Sequence, residues 1–289
     1  MKNSLEHLPE HKQAELAIIR DIILEKIPDV RMIVLFGSFA RGNWVEDAHI
    51  EGNAIHVYES DFDILVAAKD KKTSEDPNLH DSVEKAIEAT EKVKTPYGII
   101  YHTFSYVNHM ITEGHYFFTD IKKEGIQLYR KHSKYSLGKI KLLTPAERKQ
   151  IAQDHFNQWF EKAKRFYGLF EHALEKEWNK EAAFNLHQAT ESLYSTATLV
   201  FVNYRFRTHD LVRLGRKAVS YNTEFGTVFP MDTNEQKKAF NLLRKAYIDA
   251  RYKDSYEITK EQLEYLAERV RLLQELTKAS CEKKIESFV

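Results

Sequence analysis

Met32-Ile33-Val34-Leu35-Phe36-Gly37-Ser38 is the stretch that decides the fold, together with Asp61-Phe62-Asp63-Ile64-Leu65 further along the chain. Each contains a short apolar run bounded by glycine or by charge, which predicts a buried β-strand. The polar segment 43–60 between them contains a Gly52-Asn53 turn signal and a strand-like stretch at 54–58. We therefore expect two core strands with an inserted hairpin, from Trp44 to Tyr58, between them.

The rest of the first half alternates helical and strand patterns. Residues 10–27 carry apolar side chains at helical spacing and end before Pro28, which predicts an amphipathic opening helix. Residues 79–94 are typical of an exposed helix, and Ile99 to Val107 of a third strand. This order of elements predicts an α/β or α+β sheet domain, over residues 1–140.

The second half, residues 141–289, predicts a bundle of long helices. Glycine and proline become rare, and Thr144-Pro145-Ala146-Glu147 has the residue types of a helix start. Apolar stripes at helical spacing follow, and they predict four main helices in an all-α up-and-down bundle, with a shorter helix near 208–220. The aromatic stripe that includes Phe156, Trp159 and Phe166 is typical of a core or a dimer interface.

Composition excludes several classes of protein. Lys plus Arg and Asp plus Glu both number 43, so the formal net charge is zero, and nucleic acid would have to be met by a local basic patch. The single cysteine, Cys281, excludes an internal disulfide framework, and the first thirty residues do not resemble a secretory signal. Apolar runs fall far short of the roughly 20 residues that span a bilayer. We therefore expect a soluble cytoplasmic protein with no membrane partner.

The residues that predict chemistry lie at the strand ends. On a strand, Asp61 and Asp63 project to one face while Phe62 turns to the other. Two neighbouring carboxylates repel each other unless a cation lies between them, and their hard oxygen atoms suit Mg²⁺ or Mn²⁺. Gly37 and Ser38 end the first strand in a turn whose backbone N–H groups and hydroxyl are suited to phosphate oxygens.

These residues, Gly37-Ser38-Phe39-Ala40-Arg41-Gly42 followed by Asp61-Phe62-Asp63, resemble the signature of the nucleotidyltransferases of the DNA polymerase beta superfamily. The resemblance covers roughly the first 130 residues and implies an α+β fold with a mixed sheet and helices. It implies that Asp61 and Asp63 bind Mg²⁺ (or Mn²⁺), which bridges the phosphates of a nucleoside triphosphate, with ATP as the expected nucleotide. It also implies that Gly37, Ser38 and Arg41 contact phosphate, while a hydroxyl acceptor displaces pyrophosphate.

Two features depart from that pattern. The spacer between Ser38 and Asp61 is longer than the family usually has, which is consistent with the inserted hairpin. Family members that catalyse transfer generally carry a third carboxylate on a later strand, yet residues 98–107 contain no Asp or Glu. His102 is a candidate base on that strand, because a neutral imidazole accepts a proton near pH 7; Glu113 and Asp120 are alternatives.

The second half resembles the HEPN helical domain, which in bacteria often accompanies this nucleotidyltransferase domain. The resemblance rests on His209-Asp210-Leu211 and on the segment 246–253, whose Arg251 and Tyr252 are candidate nucleotide contacts. Ribonuclease members carry Arg and His on one helix, separated by four to six residues. Here three residues separate Arg205 from His209, in a segment expected to be a loop, so a ribonuclease is disfavoured.

Two functions remain open from sequence alone. The first is an enzyme that transfers a nucleoside monophosphate from an NTP to a hydroxyl of a small molecule, a protein or an RNA. In that case the bundle forms part of the acceptor pocket, and a homodimer is compatible with it. The second is a nucleotide-sensing or toxin–antitoxin-like regulatory module that binds NTP without general turnover, which the missing third carboxylate favours.

Overall fold

A computed structural model of the chain describes residues 1–45, 48–51, 54–57 and 60–288. The described residues of the first half form one compact unit, 1–45 with 60–142, and residues 143–288 form another. The predicted fold class is confirmed, because a mixed sheet with helices is followed by a helical region. No helix among the described residues is long and apolar enough to cross a membrane.

The first unit is built on a four-stranded sheet. Its strands are β1 Val30–Phe36, β4 Phe62–Ala68, β5 Tyr97–Thr103 and β6 Ile126–Arg130, in the order β5-β4-β1-β6. Strand β1 pairs antiparallel with both β4 and β6, whereas β4 and β5 run parallel. Its helices are α1 Glu10–Lys26, α2 Gly37–Arg41, α3 Lys71–Ser74, α4 Pro77–Ala89, α5 Phe104–Thr112 and α6 Tyr116–Glu124.

The predicted hairpin lies between β1 and β4. Strands β2 Ala48–Glu51 and β3 Ala54–Val57 form a separate two-stranded sheet, which agrees with the strand-like pattern at 54–57. The Gly52-Asn53 turn and Tyr58 lie outside the described residues.

Apolar side chains of α1 and α4 cover one face of the main sheet. They pack with alternate residues of the strands into a buried core, whose members include Leu16, Ile23, Ile33, Leu35, Phe62, Ile64, Val83 and Ile87. On the opposite face, Phe117 of α6 meets Phe36 of β1 edge to face, with ring centroids 5.5 Å apart. Burying both faces explains why β1 and β4 have almost continuous apolar sequences rather than alternating ones.

One predicted strand boundary is wrong. Ile99 to Val107 was expected to be a single strand, but β5 ends at Thr103, and α5 begins at Phe104. The reason is a helix cap, since the Thr103 hydroxyl accepts a hydrogen bond from the Tyr106 N–H at 3.1 Å. The sequence pattern of this segment does not predict the switch from strand to helix, because its residues are compatible with either element.

The second unit contains the predicted bundle. Its helices are α7 Pro145–Glu175, α8 Asn179–Val202, α9 Leu211–Val219, α10 Asn234–Lys245, α11 Asp249–Tyr252 and α12 Lys260–Glu286, with a 3₁₀ helix at Thr223–Thr227. The predicted capping box opens α7, because the Thr144 hydroxyl and the Glu147 carboxylate each accept a bond from the other residue's backbone N–H. Helix α8 is the most buried helix and runs through the core of the unit.

Candidate functional site

Phe62 fixes the direction of its neighbour Asp63. Its ring is fully buried, and its centroid lies 4.5 Å from that of Phe39 in the core beneath α1. Strand β4 begins at Phe62, so Asp61 immediately precedes the strand and Asp63 is its second residue. Because neighbouring side chains on a strand alternate, Asp63 is directed away from this core. Both aspartates are partly exposed, and both lie at the start of β4.

Gly37 packs against the Asp63 side chain. Its φ of +77° lies in the left-handed region, which glycine adopts without steric cost. A Cβ built on Gly37 would lie 3.1 Å from Cγ and 3.2 Å from Cβ of Asp63, and closer still to Oδ2. Glycine is therefore required here both by the backbone conformation and by the carboxylate beside it. The Gly37 turn and the Asp63 carboxylate are thus in direct van der Waals contact.

Ser38 and Arg41 lie on the short helix α2 that follows this turn. Ser38 is partly exposed, and its carbonyl accepts hydrogen bonds from Gly42 and Asn43 at 2.9 and 3.1 Å. The Arg41 guanidinium is directed at α6, where its Nη1 lies 3.6 Å from Oε2 of Glu124. Both side chains are about half exposed, so this ion pair is weak, and a ligand phosphate can compete for Arg41.

The structure does not bring His102 to the aspartates. Asp63 pairs with Gly98 across the parallel strands, whereas His102 pairs with Ala67. Four residues of strand separate these positions, or about 13 Å. The imidazole is buried, stacked on Tyr106 at 4.8 Å. This position resembles a core histidine more than a base for the acceptor hydroxyl.

No third carboxylate shares the face of Asp63 on β5. The residues of β5 that share this face are Gly98, Ile100 and His102, none of them acidic. Glu113 lies at the end of α5 and Asp120 in α6, and both are exposed. Among the described residues, no group of three or more His, Cys, Asp or Glu is arranged to hold a metal ion.

Asp61 and Asp63 nevertheless fit one kind of metal site. Mg²⁺ keeps several water ligands and is commonly bound by one or two carboxylates together with substrate phosphates, rather than by a cage of protein ligands. The pair supplies hard oxygen donors of the type that Mg²⁺ prefers. The missing side chain at Gly37 leaves the turn backbone open beside one of them.

In the second unit, Arg251 lies among aromatic rings. Its Cζ atom is 4.5 Å from the ring centroid of Tyr247, 5.0 Å from that of Phe184 and 4.9 Å from that of Tyr252. Its Nε donates a hydrogen bond to the Tyr247 carbonyl. Within the part of the chain that the structure describes, no carboxylate pairs with Arg251. Tyr252 is 73% exposed, so the two predicted residues do lie together at the surface.

Sequence reasoning missed Glu191, whose carboxylate organises two histidines beside this cluster. Its Oε2 lies 2.8 Å from His209 Nδ1 and 3.8 Å from Nε2 of the fully buried His187. Burial raises the pKa of the Glu191 carboxyl, but its interactions with the nearby His187 and His209 imidazoles outweigh this effect, and the pKa is lower than usual. The available signal was the spacing of His187 and Glu191, four residues apart on one helix.

His187 and His209 are held in defined tautomers. His187 Nδ1 lies 2.9 Å from the Leu243 carbonyl, which only accepts, so the proton of the neutral ring is assigned to Nδ1. The same argument assigns the His209 proton to Nδ1, because its partner is a carboxylate. The His209 ring stacks on Tyr247 with centroids 3.8 Å apart. His209 is about half exposed, and its Nε2 is left as the proton-accepting nitrogen.

The Arg205 to His209 segment is a loop, as expected. Residues 204–210 have no regular secondary structure, and the Arg205 guanidinium lies over the Trp159 ring at 4.9 Å. Arg and His are therefore not presented on one helix, and the ribonuclease arrangement described above is not formed by these two residues.

Comparison with known proteins identifies one domain family. Among curated proteins, no relative matches this chain. Residues 156–280, which extend from α7 into α12, match the sequence profile of the HEPN domain family. The resemblance of the helical C-terminal region to a HEPN domain is thereby confirmed.

Proposed function

We propose that this chain is a nucleotidyltransferase-like protein that binds Mg-NTP at Asp61 and Asp63 and transfers a nucleoside monophosphate to a hydroxyl acceptor. The supporting observation is the contact of Gly37 with Asp63 at the edge of the sheet. It combines a carboxylate suited to a divalent cation with a side-chain-free turn suited to phosphate. The HEPN match concerns the second unit and leaves this proposal open to test.

The proposed reaction is an in-line displacement at the α-phosphorus. The acceptor oxygen forms a bond to phosphorus, the bond from phosphorus to the bridging oxygen of the β-phosphate breaks, and pyrophosphate leaves. Mg²⁺, when bound, supplies charge neutralisation for the phosphates. In this proposal Asp61 and Asp63 hold the ion, and the Gly37-Ser38 turn donates N–H hydrogen bonds to phosphate oxygens. The Arg41 guanidinium leaves its ion pair with Glu124 and binds a phosphate oxygen. With no base assigned among the described residues, the acceptor proton passes to solvent water.

An α-labelled nucleotide assay tests the proposal. The protein is incubated with α-labelled ATP, GTP, CTP or UTP, Mg²⁺ and candidate acceptors, and both pyrophosphate release and label transfer are followed. We expect transfer by the wild type, and a loss of at least about a hundredfold in Asp63→Asn, as is typical when a charge-stabilising group is removed from a catalytic site. Asp81→Asn on α4 is the matched control, because Asp81 is exposed and distant in sequence from the site. Equal transfer by both variants would exclude Asp63 as a metal ligand.

A regulatory nucleotide-binding module is the second candidate. It is favoured by the face of β5 beside Asp63, which offers Gly98, Ile100 and His102 where transferases place a third carboxylate. In this case calorimetry shows Mg²⁺-dependent NTP binding that Asp63→Asn abolishes, with no label transferred to any acceptor. Absence of Mg²⁺-dependent binding would contradict both candidates.

A further inference from the structure

One end of the main sheet carries a dense group of cations, at the end opposite to Asp63. We call it the basic end and define it by Arg31, Lys69, Arg130, Lys131 and Lys134. The sequence around three of these residues is strongly basic, since five Lys or Arg residues and no Asp or Glu lie between Glu124 and Glu147. In a chain whose formal net charge is zero, this is a marked local excess of positive charge.

Three of these cations converge on a single carboxylate. Lys131 Nζ donates a hydrogen bond to Asp29 Oδ1, Lys69 Nζ lies 3.6 Å from Oδ2, and Arg31 Nη1 lies 4.0 Å from Oδ1. The hydrogen bond and the charge of Lys131 lower the pKa of the Asp29 carboxyl below its usual value. One negative charge cannot neutralise three positive ones. Asp70, whose carboxylate caps α3 by accepting from the Thr73 N–H, adds a second negative charge that acts on Lys69, so the five cations of the basic end still outnumber these two carboxylates.

The strand ends hold these cations in a fixed arrangement. Arg31 is at the start of β1, Lys69 follows the end of β4, and Arg130 ends β6. The Lys131 N–H continues the ladder by donating to the Arg31 carbonyl at 3.0 Å. Neighbouring strands are about 4.8 Å apart, so backbone geometry sets the spacing of the positions of Arg31, Lys69 and Arg130. Lys134 lies in the turn that follows β6.

Tyr135 orders the guanidinium further. The Arg31 Cζ atom lies 4.6 Å from the Tyr135 ring centroid, and Lys134 Nζ lies 5.4 Å from it. A cation over an aromatic ring keeps its charge, because the ring supplies no formal negative charge. Arg31 is therefore positioned without being neutralised.

We infer that the basic end binds the phosphate backbone of a nucleic-acid strand. Several fixed cations with little compensating negative charge suit a ligand that carries a series of phosphates, and binding gains from counterion release. An anionic membrane surface fits less well, because none of the residues 29–31, 68–72 or 129–135 is an exposed large apolar side chain of the kind that inserts into a bilayer. The inference does not depend on the proposed nucleotide site.

The inference is tested by the fluorescence anisotropy of a labelled single-stranded RNA of about 20 nucleotides, longer than the roughly 4–16 nucleotides that one small domain covers. We expect the triple variant Lys69→Gln, Lys131→Gln, Lys134→Gln to bind at least about fivefold more weakly. We also expect its slope of log affinity against log salt to be shallower by about 2, because each lost phosphate contact to a single strand removes about 0.7. The control replaces the exposed lysines Lys176, Lys237 and Lys238 of the second unit by glutamine, which changes the net charge equally.

A second variant should act in the opposite direction. Asp29 has a φ of +56°, a conformation that asparagine also tolerates, so Asp29→Asn removes the central negative charge without opposing the backbone. We expect it to bind RNA at least about twofold more tightly than the wild type. Disturbed folding would weaken binding, so a gain in affinity separates the electrostatic cause from a structural one.

Three results would overturn the inference: wild-type protein that does not bind RNA at low salt, a basic-end variant that binds like the lysine control, or an Asp29→Asn variant that binds more weakly. Vesicles containing anionic phospholipid serve as the competing probe. Binding to vesicles but not to RNA, lost in the same triple variant, would assign the basic end to a membrane surface instead.

Discussion

Gly37 and Gly42 provide a matched pair of substitutions for the candidate nucleotide site. Both have positive φ angles, +77° and +87°, so alanine at either position is strained by about 1–2 kcal/mol. A Cβ at Gly42 would meet only His7, at 3.5 Å, whereas one at Gly37 would displace Asp63. We expect Gly37→Ala to lose more stability than Gly42→Ala, because it adds a clash with Asp63 to the same backbone strain. We expect only Gly37→Ala to lose Mg²⁺-dependent ATP binding, by about tenfold or more in calorimetry. Equal affinities would show that the position of Asp63 does not matter for the nucleotide.

His80 should make the first unit sensitive to acid. Its ring stacks on Tyr101 at 3.8 Å, and burial lowers its pKa below 6.5, although Asp76 and Asp81 partly oppose this effect. The unfolded chain therefore binds the proton at a higher pH than the folded chain, and stability falls as the pH drops below about 6.5. We expect His80→Phe, which can keep the stack, to reduce the loss of thermal stability between pH 7.5 and pH 5. His11→Phe, at an exposed position of α1, should leave that loss unchanged; an equal loss in both variants would contradict the assignment.

A single sequence predicts the chemical type of a residue at a strand end better than it predicts which side chains of other elements lie beside that residue. Asp61, Asp63, Gly37 and Ser38 were predicted as a group because they adjoin strands, and strand ends dictate where such residues lie. His102 is a candidate because of its residue type and because it lies on the third predicted strand. Its position along β5, about 13 Å from Asp63, depends on the strand register, which a single sequence does not contain. Glu191 was missed because its partner His209 comes from a different element.

At the scale of elements, the start of α7 offers a direct test of helix capping. The Thr144 hydroxyl accepts from the Glu147 N–H at 3.2 Å, and Glu147 Oε2 accepts from the Thr144 N–H at 2.7 Å. We expect Thr144→Ala to lower the free energy of unfolding by about 1 kcal/mol, measured by urea denaturation, because the Glu147 N–H loses its acceptor and the Glu147 carboxylate loses the hydrogen bond of the Thr144 hydroxyl. Thr144→Ser keeps the hydroxyl and should retain most of this stability. A serine variant as unstable as the alanine variant would assign the effect to the methyl group.

Helices and strands whose own sequence carries a clear pattern are predictable from sequence. Elements that form only because they pack or pair with another part of the chain are not. The capping box and the 3.6-residue stripes predicted α7, α8 and α12, because long amphipathic helices carry their own pattern. Strand β6 was missed because Ile126–Arg130 has only five residues, too few for a clear pattern, and it is a strand because it pairs antiparallel with β1. The five-residue helix α2 is likewise too short to have a detectable period.

At the scale of the whole molecule, each unit has its own hydrophobic core. The core of the second unit draws all its members from residues 156–276, and that of the first unit from residues 5–129. A domain with its own core is expected to fold alone. The HEPN profile covers residues 156–280, but a small satellite cluster of Ala152, Val200, Cys281 and Ile285 joins the beginning of α7 to the end of α12.

This satellite cluster predicts where the folding unit ends. A fragment of residues 143–289 retains all four of its members, whereas a fragment of 156–280 loses Ala152, Cys281 and Ile285, the three other buried members around Val200. Each large buried apolar side chain contributes about 1.5–3 kcal/mol, so we expect the longer fragment to unfold cooperatively and the shorter one to be less stable by several kcal/mol. Circular dichroism during thermal and urea denaturation measures both. Cys281→Ala in the longer fragment should cause a partial loss, because burial keeps this thiol protonated and it packs as an apolar group. If the shorter fragment proved equally stable, the helix ends would not be part of the domain, and its limits would coincide with the family profile.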